Sequence, residues 1–197
     1  METQTTGKLL MYNKEDNELL QEQEYKLIAG NGNWYVSEEG KFINRPDVRA
    51  KCEFNLTPLG YSGVRIQLSS PQKNVTYEIT GSNGKSYTYF FREEDDMQSG
   101  EVDIDEKIFD GPNPMFDYFN ALLMVGLAEG ESAVKKVYAI NWDTGKLIPC
   151  EYKFTRNGNV IEIEKPEFLG NAKITLSEKD FGLLEYEGPG EIYKFAT

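Results

Sequence analysis

Short runs of alternating apolar and polar residues fill most of this 197-residue chain. The clearest run covers residues 50–57, where every second side chain from Ala50 to Leu56 is apolar and those between are polar. The alternation returns over residues 64–69 and 172–176. Because successive strand side chains point to opposite faces, each run predicts a β-strand with one buried face and one wet face.

About ten such strands recur at intervals of roughly 8–12 residues, a spacing typical of antiparallel sandwiches, barrels and rolls. The chain has no strand–helix–strand rhythm, and no linker rich in Pro or Ser divides it. The sequence therefore predicts a mainly β (β-rich α+β) fold. We expect a single antiparallel spiral β-roll or half-barrel of about ten strands with one central apolar helix, in which residues 1–197 form one domain.

Turn-forming residues separate the predicted strands. Asn83 and Gly84 give a hairpin signal, since both residue types tolerate the positive φ angles of tight turns. We expect residues 38–41 to turn and residues 44–47 to form a loop. Residues 92–100, which are strongly acidic, are expected to form a solvated loop.

The longest apolar run follows an acidic cluster near the middle of the chain. Asn113 is a candidate N-cap, Pro114 suits the first helical position, and Asp117 lies where the helix dipole stabilises an anion. Apolar residues follow at helical spacing, and Gly126 or Gly130 can end the helix.

This apolar segment allows three interpretations. It is a core helix in the concave face of a sheet, a helix that lines a ligand cavity, or an irregular loop leading into another strand. Elsewhere in the chain, Trp34, Trp142 and the aromatic residues of 87–91 could stack on a sugar ring or an acyl chain, although such residues also serve as ordinary core. The candidate ligand-binding residues are Phe116, Tyr118, Phe119, Asn120, Met124, Trp142 and Asp103.

The chain contains no histidine. This excludes Ser-His-Asp and Cys-His catalysis, imidazole metal sites and HExxH metalloproteases. The sequence also lacks a phosphate-binding loop and a dinucleotide-binding fingerprint. We therefore expect no cofactor, no metal and no enzymatic activity.

The formal net charge is −12. A surface of that sign repels phosphate backbones and anionic lipid headgroups, so we expect no nucleic-acid partner. The apolar run is too short to span a membrane, so no membrane span is expected. The sequence leaves the oligomeric state open.

Four carboxylates, Asp103, Asp105, Glu106 and Asp110, cluster before the apolar run. Two of them could act as an acid–base pair on a glycan, and the alternative is a solvated strand face. Asp103 and Asp105 would share one strand face, about 7 Å apart by the ordinary strand rise. A calcium loop is not indicated, because Gly111 is out of position and no closing glutamate follows at the right spacing.

The two cysteines, Cys52 and Cys150, each lie among alternating apolar residues, which predicts buried thiols in a reducing compartment. A disulfide between them would require an exported form of the protein. Residues 1–7 contain no basic region and no apolar core of a signal peptide. We expect a cytoplasmic protein, provided that Met1 is the native start.

The second half of the chain contains, in order, four short motifs: Val102-Asp103-Ile104, then Pro114, Phe116 and Asn120, then Gly130-Glu131-Ser132, and the segment from Asp180 to Tyr186. These motifs give this half of the chain a resemblance to a glycolipid-binding family of spiral β-rolls. The resemblance implies a roll like that of lipoprotein-carrier folds, a cytoplasmic location, no catalytic residues, and a lipid or glycolipid as the partner.

The leading hypothesis is therefore non-enzymatic binding of an apolar or amphipathic, glycolipid-like ligand in a β-roll cavity. One alternative is a structural or interaction domain with a filled core. The other is a carboxylate-dependent hydrolase acting on a glycan or ester.

Overall fold

The protein folds around one long, coiled β-sheet. The computed structural model describes residues 3–57, 60–82, 86–104, 108–111, 114–141, 146–178 and 182–196. The strands are β1 Thr3–Asn13, β2 Leu19–Gly30, β3 Asn33–Phe42, β4 Arg45–Thr57, β5 Gly60–Ser69, β6 Asn74–Ser82, β7 Ser86–Glu93, β8 Asp96–Asp103, β9 Phe109–Asp110, β10 Ser132–Ile140, β11 Leu147–Asn157, β12 Val160–Glu164, β13 Ala172–Leu176, β14 Leu183–Glu187 and β15 Glu191–Ala196. The helix α1 spans Pro114–Leu123.

The strands follow one another as an antiparallel meander. The order across the sheet runs from β8 down to β1, continues with β15, and then descends through β14 to β9. The two halves meet where β1 pairs with β15, for example at Leu9 opposite Phe195. The short strand β9 pairs parallel to β10, at Phe109 opposite Tyr138. Within the described residues, β8 and β9 therefore form the two edges of the sheet.

The sheet curls so that its edges approach each other. Strands β7 and β9 stand 13 strand steps apart in the sheet order, and a flat sheet would separate them by about 60 Å at the usual strand spacing. The rings of Tyr87 on β7 and Phe109 on β9 nevertheless lie 5.4 Å apart. The inner face thus encloses a common core, as the alternating sequence predicts.

The helix α1 fills part of this concave interior. Phe116 is fully buried, and its ring packs edge-on against Phe54 of β4 at 4.7 Å. The Tyr61 hydroxyl on β5 donates a hydrogen bond of 3.2 Å to the Phe116 carbonyl oxygen. The helix begins at Pro114, as predicted, but ends at Leu123, before either candidate glycine. The predicted N-cap Asn113 lies outside the described residues.

The expected strand number was too low, because the described residues contain 15 strands rather than about ten. Residues 38–41 belong to β3 instead of a turn, and the loop expected at residues 44–47 is largely the start of β4. Of residues 92–100, which were expected to form a loop, residues 92–93 end β7 and residues 96–100 belong to β8. At this edge of the sheet most side chains are exposed, so the strand shows no apolar alternation.

The predicted hairpin of residues 82–86 is consistent with the antiparallel pairing of β6 and β7, although Asn83 and Gly84 lie outside the described residues. Both cysteines are free and buried, as expected. None of the helices in the described part of the chain is long and apolar enough to cross a membrane.

Candidate ligand-binding site

A pocket of about 280 Å³ opens beside the first turn of α1. Its wall combines buried charged groups with aromatic and apolar side chains. The residues lining it are Asp110, Gly111, Pro114, Asp117, Ala139, Ile140, Lys165, Phe168, Leu169, Tyr186, Pro189, Glu191 and Tyr193.

The pocket contains a buried ion-pair cluster in which one lysine serves two aspartates. Lys165 Nζ lies 2.7 Å from Asp117 Oδ2 and 3.1 Å from Asp110 Oδ2. All three side chains are at most 6% exposed. The Tyr152 hydroxyl also donates a short hydrogen bond to Asp110 Oδ2. Asp117 Oδ1, by contrast, has no hydrogen-bond partner among the described residues.

Three separate parts of the chain bring these charges together. Asp110 ends β9, and its Oδ1 accepts a 2.8 Å hydrogen bond from the Gly111 amide. Asp117 lies in the first turn of α1. The Asn120 side-chain amide donates a hydrogen bond of 2.9 Å to the Phe109 carbonyl oxygen, and this bond connects the helix to β9. Lys165 directly follows β12.

The loop of residues 165–171 forms the outer rim of the pocket. Its backbone is fixed by hydrogen bonds from the Leu169 amide to Pro166 and from the Lys165 amide to the Asn171 side chain. Phe168 is 69% exposed although it lines the pocket. The pocket therefore has a charged interior and an apolar, solvent-facing rim.

Burial dominates the electrostatics of Asp117. Burial and, after it, the neighbouring charge of Asp110 raise the pKa of Asp117 from its usual value of 3.8 to a net value of about 7, while Lys165 acts in the opposite direction. Burial also lowers the pKa of Lys165, but the two carboxylates more than offset this effect and the net pKa is raised. The pKa of Tyr186 is raised, first by burial and then by Asp117.

These shifts predict a pH-dependent contribution of Asp117 to stability. Between about pH 4 and pH 7 the folded protein holds the Asp117 proton more tightly than the unfolded chain, so stability is lost as the pH rises through this window. The Asp117→Asn variant cannot titrate at this position. We expect its unfolding free energy, relative to the natural protein, to rise by up to about 4 kcal/mol between pH 4 and pH 7.

Urea unfolding at several pH values would measure this difference. Asp103→Asn is the matched control, because Asp103 is an exposed aspartate on the edge strand β8. A difference between Asp117→Asn and the natural protein that stays constant with pH would contradict the raised pKa.

The structure places the residues predicted from sequence in three different settings. Five of them lie buried on or just after α1, where they pack into the core: Phe116, Tyr118, Phe119, Asn120 and Met124. Asp103 is exposed on β8, and Trp142 lies outside the described residues. Phe116 and Tyr118 flank Asp117 in sequence, and Asn120 lies about one helical turn from it. The role of all seven in ligand binding remains a prediction.

The carboxylates that the structure brings together differ from the pair expected from strand spacing. Asp105 and Glu106 lie outside the described residues. Asp110 lines the pocket, where the second buried carboxylate is that of Asp117 on α1. Lys165, Tyr152 and Tyr186 were not predicted as site residues. Nothing in the sequence around Lys165 predicts that a lysine following a strand is buried. Tyr152 and Tyr186 lie at positions that the strand pattern predicts to be ordinary core.

A larger groove of about 720 Å³ lies on the outer face of β2–β6. Its charged side chains already have partners. The Tyr35 hydroxyl donates a hydrogen bond of 2.7 Å to the Glu53 carboxylate, and Arg65 forms an ion pair of 2.9 Å with Glu78. Both members of the Arg65–Glu78 pair are substantially exposed. The smaller pocket is the stronger candidate, because its ion-pair cluster is buried and because Asp117 Oδ1 lacks a hydrogen-bond partner among the described residues.

The described residues contain no group of three or more His, Cys, Asp or Glu side chains that could hold a metal ion. The single lysine in the cluster instead supplies the positive charge that holds the two aspartates. The chemistry available in this pocket is hydrogen bonding, charge pairing and apolar contact.

The described part of the chain is mainly β. No protein-family model matches the chain, and no curated protein matches it.

Solved structures with a similar fold provide the comparison. A DUF1089 family protein from Pseudomonas aeruginosa matches with a TM-score of 0.56 and 13% identity, covering 84% of this chain and 89% of that one. A β-barrel-like protein of the domain of unknown function DUF1849 from Brucella abortus matches with a TM-score of 0.54 and 7% identity, covering 98% and 95%. At these identities the likeness concerns the fold alone.

Proposed function

We propose that this protein binds a small amphipathic molecule, of glycolipid-like character, without converting it chemically. The observation that carries the proposal is the make-up of the pocket beside α1. Buried Asp117 and Lys165 lie in its wall, while Phe168 and Leu169 form an apolar rim. Such a combination suits a ligand with a polar head and an apolar tail.

The size of the pocket limits how the ligand sits. A volume of about 280 Å³ is just below the range of roughly 300–1,000 Å³ that encloses a drug-sized molecule. The interior around α1 is occupied by packed rings such as Phe54 and Phe116. The pocket therefore holds a head group, and the tail of the ligand lies along the rim at Phe168.

Two further proposals concern the whole chain. We propose that residues 1–197 form one domain, which is supported by the continuous sheet that joins the first and last strands. We also propose a cytoplasmic location. Its support is the pair of free, buried cysteines, which is typical of proteins in reducing compartments.

Calorimetric titration with octyl β-glucoside below its micelle concentration tests the proposed ligand class, with methyl β-glucoside as the tail-free comparison. We expect the octyl compound to bind at least tenfold more tightly, since each buried methylene contributes up to about 0.8 kcal/mol. Phe168→Ala should weaken octyl glucoside binding about fivefold, because it removes the exposed aromatic part of the rim.

The matched control is Phe90→Ala. Phe90 is also an exposed aromatic residue, at 41%, but it lies on β7 and does not line the pocket. Absence of octyl glucoside binding, or binding that responds equally to the two substitutions, would contradict the proposed ligand and its site.

A carboxylate-dependent hydrolase is the second candidate, and one observation favours it. The Oδ2 atoms of Asp110 and Asp117 share Lys165 Nζ at 3.1 and 2.7 Å, so they lie at most about 6 Å apart, a bound that is compatible with the separation of about 5–5.5 Å in retaining glycosidases. Turnover of chromogenic glycosides or esters that disappears in Asp110→Asn and Asp117→Asn would establish this activity. No turnover by the natural protein would remove the candidate.

A further inference from the structure

Above the Asp117 pKa of about 7, where both aspartates are ionised, the buried charges of the pocket do not balance. Asp110 and Asp117 contribute two carboxylates, and Lys165 supplies one ammonium group for both. Glu191 adds a further carboxylate to the pocket wall. Among the described residues, Lys165 is the one positive partner of both buried carboxylates. A second cation would give each carboxylate a positive partner of its own.

The cluster also has a free acceptor. Asp117 is 2% exposed; its Oδ2 accepts from Lys165 at 2.7 Å, and its Oδ1 has no hydrogen-bond partner among the described residues. An orphaned carboxylate oxygen in a pocket wall favours a ligand that donates a hydrogen bond. Lys165 is already engaged by two carboxylates, so it offers little to an anionic ligand.

Aromatic rings surround the same space. Tyr186 and Tyr193 line the pocket together with Phe168, and the two tyrosine rings pack edge-to-face at 5.5 Å. Aromatic faces attract cations through their quadrupoles, and a site that combines such rings with carboxylates is suited to ammonium groups. Neither the charge count nor the rings favour a phosphate or carboxylate head group.

We propose that the ligand held in this pocket presents a protonated amine, which donates a hydrogen bond to Asp117 Oδ1 and lies among Tyr186, Tyr193 and Phe168. This inference rests on the proposed binding function and deepens it by assigning the head group. The amine supplies the second positive charge of the cluster. The tail leaves the pocket past Phe168.

Four probes with the same tail separate the possibilities: octylamine, octanol, octyl β-glucoside and octanoate. They would be titrated against the full chain at pH 7.5 and 150 mM NaCl, where octylamine is protonated and attraction to distant surface charges is screened. We expect octylamine to bind at least tenfold more tightly than either neutral probe, and octanoate to bind weakest. Amide NMR shifts should map octylamine to Leu169, Tyr186 and Tyr193.

Asp117→Asn should reduce the preference for octylamine over octanol to threefold or less, while the control Asp96→Asn, at an exposed aspartate of β8 that does not line the pocket, leaves it unchanged. Octylamine that binds no better than the neutral probes overturns the inference and leaves the proposed function standing. Failure of all four probes to bind overturns both. If Asp117→Asn does not fold, the ranking of the four probes on the natural protein decides the question alone.

Discussion

Replacing Lys165 by Met is expected to lower the free energy of unfolding at neutral pH by about 3–5 kcal/mol, the usual cost of leaving one side of a buried ion pair uncompensated. The substitution keeps most of the aliphatic volume but removes the ammonium group. Asp110 and Asp117, both at most 3% exposed, would then be near each other without their shared cation. Chemical denaturation followed by circular dichroism would measure the loss.

The control for this prediction is Lys153→Met. Lys153 also pairs with a carboxylate, Glu164 at 2.7 Å, but both side chains are about half exposed, and surface pairs of this kind contribute at most about 1 kcal/mol. Adding Asp117→Asn to Lys165→Met should restore part of the stability, because it removes one of the unpaired charges. Equal losses for Lys165→Met and Lys153→Met would show that the buried cluster carries no special cost.

Phe116→Ala is expected to destabilise the protein by about 3–5 kcal/mol, because it opens a cavity where α1 meets the sheet. The Phe116 ring is fully buried and contacts Phe54 at 4.7 Å and Tyr61 at 5.8 Å. These partners lie on β4 and β5, far from the helix in sequence. The loss would appear as a lower urea midpoint with an unchanged slope.

Phe168→Ala removes the same side chain from an exposed position and serves as the comparison. Its expected cost is within about 0.5 kcal/mol, since Phe168 is 69% exposed. A loss below about 1 kcal/mol for Phe116→Ala would mean that the helix does not anchor the core in solution.

The strands of the fold were predictable where one face is buried. Residues 50–57 alternate so regularly that their assignment to a strand needed no further information, and Cys52, Phe54 and Leu56 are indeed the buried members. Most of strand β8 was missed for the opposite reason. Among the described residues it pairs on one side only, and most of its side chains face solvent, so the sequence of residues 96–100 resembles an acidic loop.

The candidate site was predictable only in fragments. Asp110 stood out in an acidic cluster, and Asp117 stood out as a carboxylate in the first turn of a helix. Nothing local links them to Lys165, which is 48 residues from Asp117 and reaches it only because the sheet coils. The raised pKa of Asp117 was likewise beyond a local argument, because burial outweighs the favourable helix dipole.

The pairing of β1 with β15 has a consequence for how the chain is made. One edge of β1 pairs with β2, which lies within the first 30 residues. The other edge pairs with β15, at residues 191–196. During synthesis β1 is therefore left with an open edge until residues 191–196 have emerged from the ribosome. Contacts this distant in sequence slow folding, and the growing chain depends on avoiding intermolecular strand addition until β15 arrives.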